Sequence, residues 1–237
     1  MYGKIHHWRR STFAWRGRNT AGEELGITSF KPQFLVKYIF ESEREKELIY
    51  VYRTTYDGEI LPSVSELCRF ISKEMYSDVP QATLERAAER GTNVHKLTEA
   101  LDKYGECEAD DTLIPYIEAY VSFLKKHKCE WRFIEKSMHN PKLMYAGTID
   151  RLGLIDGEVS ILDIKTTSQI HQVSVAAQLT LYKRMAEENG YGITKLYVLQ
   201  LKKDGKFTLR NVDPDEPLAD ACLTLHDRLK PKKRKNK

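Results

Sequence analysis

The sequence contains no long apolar run, and it has few cysteines. None of its 237 residues belongs to a stretch approaching the roughly 20 consecutive apolar residues that span a bilayer, and the N-terminus lacks the apolar segment of a secretory signal. Internal repeats and long low-complexity linkers are also absent, so one sizeable domain with appendages is expected. The four cysteines are scattered without a C-x-x-C pair, which argues against a zinc knuckle or a disulfide framework and indicates reduced thiols in a cytosol-like compartment.

Charge is distributed unevenly along the chain. The net charge is +4, but residues 230–237 carry six positive charges and the first twenty residues carry five, so the residues between them have a net charge of −7. Basic ends on an acidic body suit loose attachment to a polyanion. They are equally typical of solvated, disordered segments, and composition leaves both interpretations open.

Hydrophobic patterning predicts an α/β (α+β) fold with a central mixed β-sheet flanked by helices. We divide the chain into an N-terminal extension with edge strands at residues 1–60, a core at residues 61–229 and a basic disordered tail at residues 230–237. The predicted strands cover residues 34–40, 48–56, 131–137, 144–155, 158–167, 196–201 and 206–212. The first predicted helix begins at Pro62-Ser63. Four further helices are predicted at residues 81–104, 112–128, 173–189 and 218–229, and Gly190 ends the one at residues 173–189.

The dipeptide Asp156-Gly157 predicts the register of two of these strands. Asp-Gly between apolar runs indicates a two-residue hairpin, because a type I′ turn needs positive φ at both central positions. In that hairpin Asp150 lies opposite Asp163, with the two Cβ atoms roughly 5 Å apart on one face. Lys165, two residues after Asp163, points to the same face. A loop one residue longer would instead turn Asp163 to the other face.

Two opposed carboxylates in an otherwise apolar hairpin repel each other, and this repulsion needs an offset. A divalent cation would supply it, and hard oxygen ligands select Mg²⁺ or Mn²⁺. A proton shared between Asp150 and Asp163, or an ion pair with Lys165 alone, would also reduce the repulsion. The register by itself leaves these alternatives open.

Two further polar pairs, each four residues apart on a predicted helix, share a helix face. His95 and Glu99 follow Gly91, which we expect to allow another element to approach closely. Gln178 and Tyr182 lie on the helix after the second acidic strand. Such a pair is usually a buried hydrogen bond, but it could equally hold a catalytic lysine or a phosphate.

Taken together, these residues resemble the PD-(D/E)XK nuclease superfamily, specifically its RecB-like exonuclease branch and most closely the stand-alone nucleases of phages and prophages. The resemblance covers about residues 61–185 and implies a restriction-endonuclease-like core. Any one motif is weak, whereas five in order on the expected elements form a strong signal. They are Pro62-Ser63-Val64-Ser65, Gly91-Thr92-x-x-His95-x-x-x-Glu99, Gly147-Thr148-Ile149-Asp150, Asp163-Ile164-Lys165-Thr166-Thr167 and Gln178-x-x-x-Tyr182.

The resemblance also implies roles for individual residues. A Mg²⁺ or Mn²⁺ ion would be bound by His95, Asp150, Asp163 and the main-chain carbonyl of Ile164. Lys165 would orient or deprotonate the attacking water and stabilise the developing charge on phosphorus. Gln178 and Tyr182 would position Lys165 and the DNA backbone, and Glu99 and Glu135 would be acids beside the metal or on a second metal.

The sequence departs from the family pattern at two places. Ile149 stands where the superfamily name has proline, which is common in this branch. The related iron–sulfur nucleases need one cysteine ahead of the histidine motif and three near the C-terminus, whereas only Cys68 and Cys222 occupy such regions here. We therefore expect no iron–sulfur cluster.

The implied function is a metal-dependent DNA nuclease, in particular an exonuclease that hydrolyses phosphodiester bonds of linear DNA during phage recombination or DNA processing. Carboxylate-held Mg²⁺ and a positioned lysine would supply the activated water and the positive charge that this chemistry needs. The expected setting is the bacterial or phage-infected cytoplasm, away from membranes, with a single-strand annealing or recombination protein as a further partner. Two alternatives stay open: a nuclease-fold DNA-binding or recombination accessory protein with little or no cleavage, and a purely structural ion cluster of Asp150, Asp163 and Lys165.

Overall fold

The computed structural model describes residues 60–71 and 77–229 with their side chains. Before residue 60 it describes only the backbone of the strands β1 (His6–His7), β2 (Leu35–Glu41), β3 (Leu48–Tyr56) and the start of β4 (Glu59–Ile60). The strands β2 and β3 occupy the two N-terminal segments predicted to be strands, and β2, β3 and β4 form an antiparallel sheet. The predicted tail at residues 230–237 lies outside the described residues.

A five-stranded mixed sheet forms the centre of the described core. Its strands are β6 (Cys129–Asn140), β7 (Tyr145–Ile155), β8 (Glu158–Lys165), β9 (Lys195–Leu201) and β10 (Phe207–Asn211), in the spatial order β10-β9-β8-β7-β6. Neighbouring strands are antiparallel except β8 and β9, which are parallel. The short strand β5 (Glu108–Ala109) pairs with β1 instead.

Within the described residues, helices lie against both faces of this sheet. They are α1 (Val64–Leu67), α2 (Gln81–Tyr104), α3 (Ile114–Lys126), α4 (Gln172–Glu188) and α5 (Glu216–Leu229). The helices α1, α4 and α5 contribute to one apolar core, and α2 and α3 contribute to a second. Consecutive β8 residues point to opposite faces, because Ile161 belongs to the first core and Leu162 to the second. The predicted α/β architecture, with helices flanking a central mixed sheet, is confirmed. None of the helices in the described ranges is long and apolar enough to cross a membrane.

Local sequence signals account for several element boundaries. Ser63 caps α1 in a reciprocal capping box with Glu66. The helix α2 has the predicted limits, whereas α3 begins two residues later than predicted, because the Asp110 side chain accepts hydrogen bonds from the backbone N–H groups of Thr112 and Leu113. The helix α4 ends with Asn189 as its C-cap, and Gly190 follows with a φ of +86°.

The predicted hairpin register holds along most of the β7–β8 pair. Asp156 and Gly157 have φ values of +52° and +91°, and the strands pair from Ile155 opposite Glu158 to Arg151 opposite Leu162. The paired ladder ends there, one pair before Asp150 and Asp163. Asp150 and Asp163, which were predicted to lie opposite each other, are therefore at the point where the two strands separate.

The adjacent β6–β7 pair contains a bulge between Trp131 and Phe133, and Gly153 lies where the two backbones come closest. A Cβ atom at Gly153 would lie 2.2 Å from the main-chain oxygen of Glu130 and 2.8 Å from Cα of Trp131. Backbone atoms cannot move aside as a flexible side chain can, so only glycine fits at this position.

Replacing Gly153 with alanine is therefore expected to destabilise the fold by about 1–3 kcal/mol or more, the range for forced overpacking. Urea denaturation of wild type and variant measures this difference. Gly192→Ala is the matched control, because a Cβ there meets nothing within 4 Å. Equal losses of stability in the two variants would contradict this explanation of the bulge.

Candidate metal centre and active site

A cleft of about 690 Å³ lies between α2 and the C-terminal end of β8. One wall is the α2 face from Ala87 to Glu99, and the other is the segment Ile164–Thr167 together with Glu135. The cleft opens beside the place where the β7–β8 ladder ends, so polar main-chain groups of β8 are available at its floor.

Asp150 is fixed at this floor by the backbone of the neighbouring strand. Its Oδ2 accepts a hydrogen bond from the main-chain N–H of Ile164 at 2.7 Å, and its Oδ1 lies 3.7 Å from Nδ1 of His95. The other ring nitrogen of His95, Nε2, lies 3.1 Å from the main-chain oxygen of Ile164. Asp150, His95 and the Ile164 carbonyl thus meet at one point, although they come from β7, α2 and β8.

Glu135 joins them through an unusual backbone conformation. Its φ is +48° although it lies in the middle of β6. In the β6–β7 ladder Ile134 pairs with Arg151 and Lys136 pairs with Ile149, whereas Glu135 between them is not paired. Its Oε1 lies 3.1 Å from Nδ1 of His95. His95, Glu135 and Asp150 each offer a ligand atom, and these atoms lie within 4.8 Å of one another. We call these three residues the acid–histidine group.

Side-chain alternation along β7 is also broken at this group. Ile149 and Leu152 pack in the same core with α4, yet Arg151 between them reaches Thr98 on α2. A regular strand would put residues 149 and 151 on one face. The sequence register could not foresee this change of face.

The charges in the acid–histidine group favour a proton on His95 when no cation is bound. Burial alone would lower the pKa of His95, but the carboxylates of Asp150 and Glu135, with a smaller contribution from Asp163, outweigh it and raise the pKa to about 9. Both ring nitrogens also face oxygen acceptors. In this state the imidazolium offsets the repulsion between the acids.

Asp163 and Lys165 form a second constellation on the α4 side of the sheet. The Lys165 Nζ donates to Oδ1 of Asp163 at 3.0 Å and to Oε1 of Gln178 at 3.2 Å, and Gln178 Nε2 donates to the Tyr182 hydroxyl at 3.3 Å. The pair Gln178 and Tyr182 is therefore a hydrogen-bonded pair that also holds the lysine. We call these four residues the lysine relay.

Asp163 is buried with one oxygen incompletely satisfied. Its Oδ2 lies 2.8 Å from Nζ of Lys165, an ion-pair contact without hydrogen-bond geometry, and accepts no hydrogen bond from the described residues. Burial raises the pKa of Asp163, the charge of Asp150 raises it further, and Lys165 acts in the opposite direction. Burial also raises the pKa of Tyr182, and both acids add to this effect. Asp150 and Asp163 are therefore within electrostatic reach of the same hydroxyl.

Gly147 lets Tyr182 lie against β7. A Cβ at this position would lie 2.7 Å from Cε1 of Tyr182 and 3.0 Å from Cγ2 of Val64. Gly91 is different, because a Cβ there would meet Thr166 Oγ1 at an ordinary 3.8 Å. The close approach of another element that we predicted at Gly91 does not require a glycine there. Such a close approach occurs at Gly147 instead.

The structure separates the sequence-predicted site residues into these two constellations. His95, Asp150 and the Ile164 carbonyl converge with Glu135, while Asp163 lies outside the acid–histidine group, beside Lys165. Glu99 lines the cleft but pairs with Lys103. Sequence reasoning missed Arg151, which is fully buried and donates to Glu135. The available signal was a second charged residue, next to Asp150, in a largely apolar strand.

The acid–histidine group fits a divalent cation by its chemistry. One imidazole, two carboxylates and one carbonyl oxygen form a mainly oxygen donor set, which suits Mg²⁺ or Mn²⁺. The Oδ2 of buried Asp163, whose contact with Lys165 is an ion pair without hydrogen-bond geometry, is a further carboxylate oxygen beside this group. Two carboxylates belong to this donor set, one from Asp150 and one from Glu135.

Comparison with known proteins adds little to this geometry. No family model matches the chain, and no curated protein matches it in sequence. Among solved structures, an alkaline exonuclease from Laribacter hongkongensis aligns with a TM-score of 0.36 and 9 % identity over 58 % of this chain and 77 % of that chain. The protein SSO0001 aligns with a TM-score of 0.37 and 14 % identity over 73 % and 76 %. At such TM-scores neither likeness supports a conclusion about this chain.

The raised pKa of His95 predicts how the stability of the metal-free protein depends on pH. A group whose pKa rises on folding from 6.5 to about 9 contributes stability fully below pH 6.5 and loses it as the pH rises through 9. In EDTA, the free energy of unfolding is expected to fall across this window by up to about 3 kcal/mol more in wild type than in His95→Gln.

Urea denaturation in EDTA at pH 6, 7.5 and 9 measures this difference. Saturating Mg²⁺ should reduce the loss at high pH, because a bound cation replaces the proton. Identical slopes for wild type and His95→Gln in EDTA would contradict the assignment.

Proposed function

We propose that this chain is a Mg²⁺- or Mn²⁺-dependent deoxyribonuclease that hydrolyses phosphodiester bonds of linear DNA. The observation that carries the proposal is the convergence of His95, Glu135, Asp150 and the Ile164 carbonyl beside a lysine held by two polar partners. Phosphodiester hydrolysis needs positive charge on the phosphate and a positioned water, and these two constellations suit those two tasks.

The acid–histidine group is the proposed metal site. When bound, a divalent cation would polarise the scissile phosphate and lower the pKa of its bound water. Asp150 is held by the Ile164 N–H, and Glu135 supplies a second negative charge, so the two carboxylates match a dication. Asp163 is proposed to complete the site through Oδ2, the oxygen that accepts no hydrogen bond from the described residues.

The lysine relay is the proposed source of the second catalytic contribution. Lys165 is partly buried and follows Ile164, whose main-chain carbonyl faces the proposed metal site. Gln178 and Asp163 hold its ammonium in place, so it would orient the attacking water and stabilise negative charge on phosphorus without first having to reorganise. Tyr182 keeps the amide of Gln178 turned so that its oxygen faces Lys165.

Substrate access supports a nucleic acid backbone as the ligand of the cleft. Lys96 is exposed on the α2 wall, and the half-buried Thr167 continues the β8 wall beyond Lys165. Ammonium and hydroxyl groups of this kind contact phosphates without reading sequence. We propose that residues 61–229 form the catalytic unit, that the basic ends raise the local DNA concentration, and that cleavage proceeds from DNA ends during recombination or DNA processing.

The decisive experiment is digestion of end-labelled linear DNA and circular DNA of the same sequence with Mg²⁺, Mn²⁺ or EDTA. Linear DNA is expected to be degraded only with metal, and circular DNA to persist. Lys165→Ala should lower the rate at least about 100-fold while retaining metal binding, because it removes charge stabilisation and leaves the acid–histidine group intact. Asp150→Asn should lose both metal binding and cleavage.

Lys183→Ala is the matched control, because Lys183 also lies beside α4 residues of the relay but pairs with Glu187. Its activity should equal that of wild type. Cleavage that survives EDTA, or that is undiminished in Lys165→Ala, would rule out the proposed mechanism. Metal-independent retention of DNA without cleavage would instead support a DNA-binding or recombination accessory role on the same fold.

A further inference from the structure

Arg151 is a charged side chain that neither constellation explains. Its guanidinium is fully buried, and its three nitrogens all donate hydrogen bonds. Nε donates to Asp102 Oδ2 at 2.7 Å, Nη2 to Thr98 Oγ1 at 3.1 Å, and Nη1 to Glu135 Oε1 at 3.1 Å. Nη1 also donates to the main-chain carbonyl of Asp150 at 2.7 Å. A buried ion is tolerated only with such complete pairing.

Two of these contacts touch the acid–histidine group itself. The same Oε1 of Glu135 receives both Arg151 Nη1 and His95 Nδ1, each at 3.1 Å. The contact to the Asp150 carbonyl fixes the backbone from which the second carboxylate projects. A single guanidinium nitrogen, Nη1, therefore bridges the two carboxylate residues of the group. The other two nitrogens bond to Asp102 and Thr98 and so fix the plane of the guanidinium and the position of Nη1.

The left-handed conformation of Glu135 makes this contact necessary. A φ of +48° is uncommon for glutamate and costs on the order of 1–3 kcal/mol unless the surroundings hold it. Without the bond from Arg151, Glu135 could relax into the β6–β7 ladder, where its neighbours Ile134 and Lys136 already pair. Its carboxylate would then leave the group.

Asp102 explains how Arg151 can hold Glu135 without using up its charge. The side chain of Asp102 is also fully buried, pairs with Arg151 Nε and accepts a hydrogen bond from the Tyr120 hydroxyl. The pair Arg151 and Asp102 has no net charge. The two negative charges of Glu135 and Asp150 therefore remain available to a dication.

We propose that Arg151 is a positioning residue that holds the Glu135 carboxylate and the Asp150 backbone in their metal-binding arrangement, with Asp102 cancelling its charge. This inference rests on the proposed metal-dependent function. It predicts that changes at Arg151 act on metal affinity, whereas a purely structural role would act on stability alone.

The test measures Mn²⁺ affinity by titration and, separately, nuclease rates at increasing Mn²⁺ concentration. Arg151→Lys keeps the charge but loses the fork, and it is expected to raise the Mn²⁺ dissociation constant about 10- to 100-fold. Its cleavage rate should recover at saturating Mn²⁺, with an unchanged KM for DNA. Arg184→Lys is the matched control, because it loses a fork to Glu216 and Asp220 between α4 and α5 and should leave Mn²⁺ affinity unchanged.

A folded Arg151→Lys that binds Mn²⁺ as wild type does would overturn the inference while leaving the proposed function intact. Absence of Mn²⁺ binding by wild type would overturn the proposed function itself. Should Arg151→Lys fail to fold, Thr98→Val replaces it, because valine has the shape of threonine and removes one acceptor of Arg151. It is expected to raise the dissociation constant about threefold or more, and an unchanged constant would overturn the inference.

Discussion

The hydrogen bond from the main-chain N–H of Ile164 to the carboxylate of Asp150 is the contact on which the rest of the site depends. It forms where the β7–β8 ladder ends, so a side chain takes over a main-chain donor of β8. The Asp150 carboxylate is thereby held by the main chain of β8. The Ile164 carbonyl stays available to His95, and the strand continues directly into Lys165. One termination of a ladder thus creates the floor of the cleft and joins the two constellations.

Charge balance decides which of these groups can coexist in a half-buried cleft. Three acids, Asp150, Glu135 and Asp163, lie in reach of one another, and isolated carboxylates of this kind would be costly. The chain offsets them by a proton on His95, whose pKa the neighbouring acids raise against the effect of burial. It also offsets them by the ammonium of Lys165, which acts against the burial that raises the pKa of Asp163. Arg151 also forms an ion pair with Glu135, but Asp102 pairs with it and offsets its charge. A dication can therefore exchange with the histidine proton without disturbing the buried ion pair.

Sequence reasoning could predict the features that depend on local chemistry. The turn at Asp156-Gly157 defines the register because few residue types adopt two consecutive positive φ values. The helical period of its residues predicts α2. The contribution of Glu135 could not be predicted, because no turn residue or glycine in the sequence marks its positive φ in the middle of β6. Arg151 was equally hidden, since its partners come from α2, β6 and its own strand. Such partners are defined only by the assembled fold.

The alternation of β8 explains why the lysine relay and the acid–histidine group are separate yet adjacent. The side chains of Asp163 and Lys165 point towards α4, while Ile164 between them packs its side chain in the core of α2 and α3 and turns its carbonyl to His95. A strand of period two can therefore serve two constellations with three consecutive residues. Had Asp163 faced His95 directly, Lys165 would have lost the carboxylate that holds its ammonium. The separation of Asp163 from the acid–histidine group thus preserves the position of the lysine.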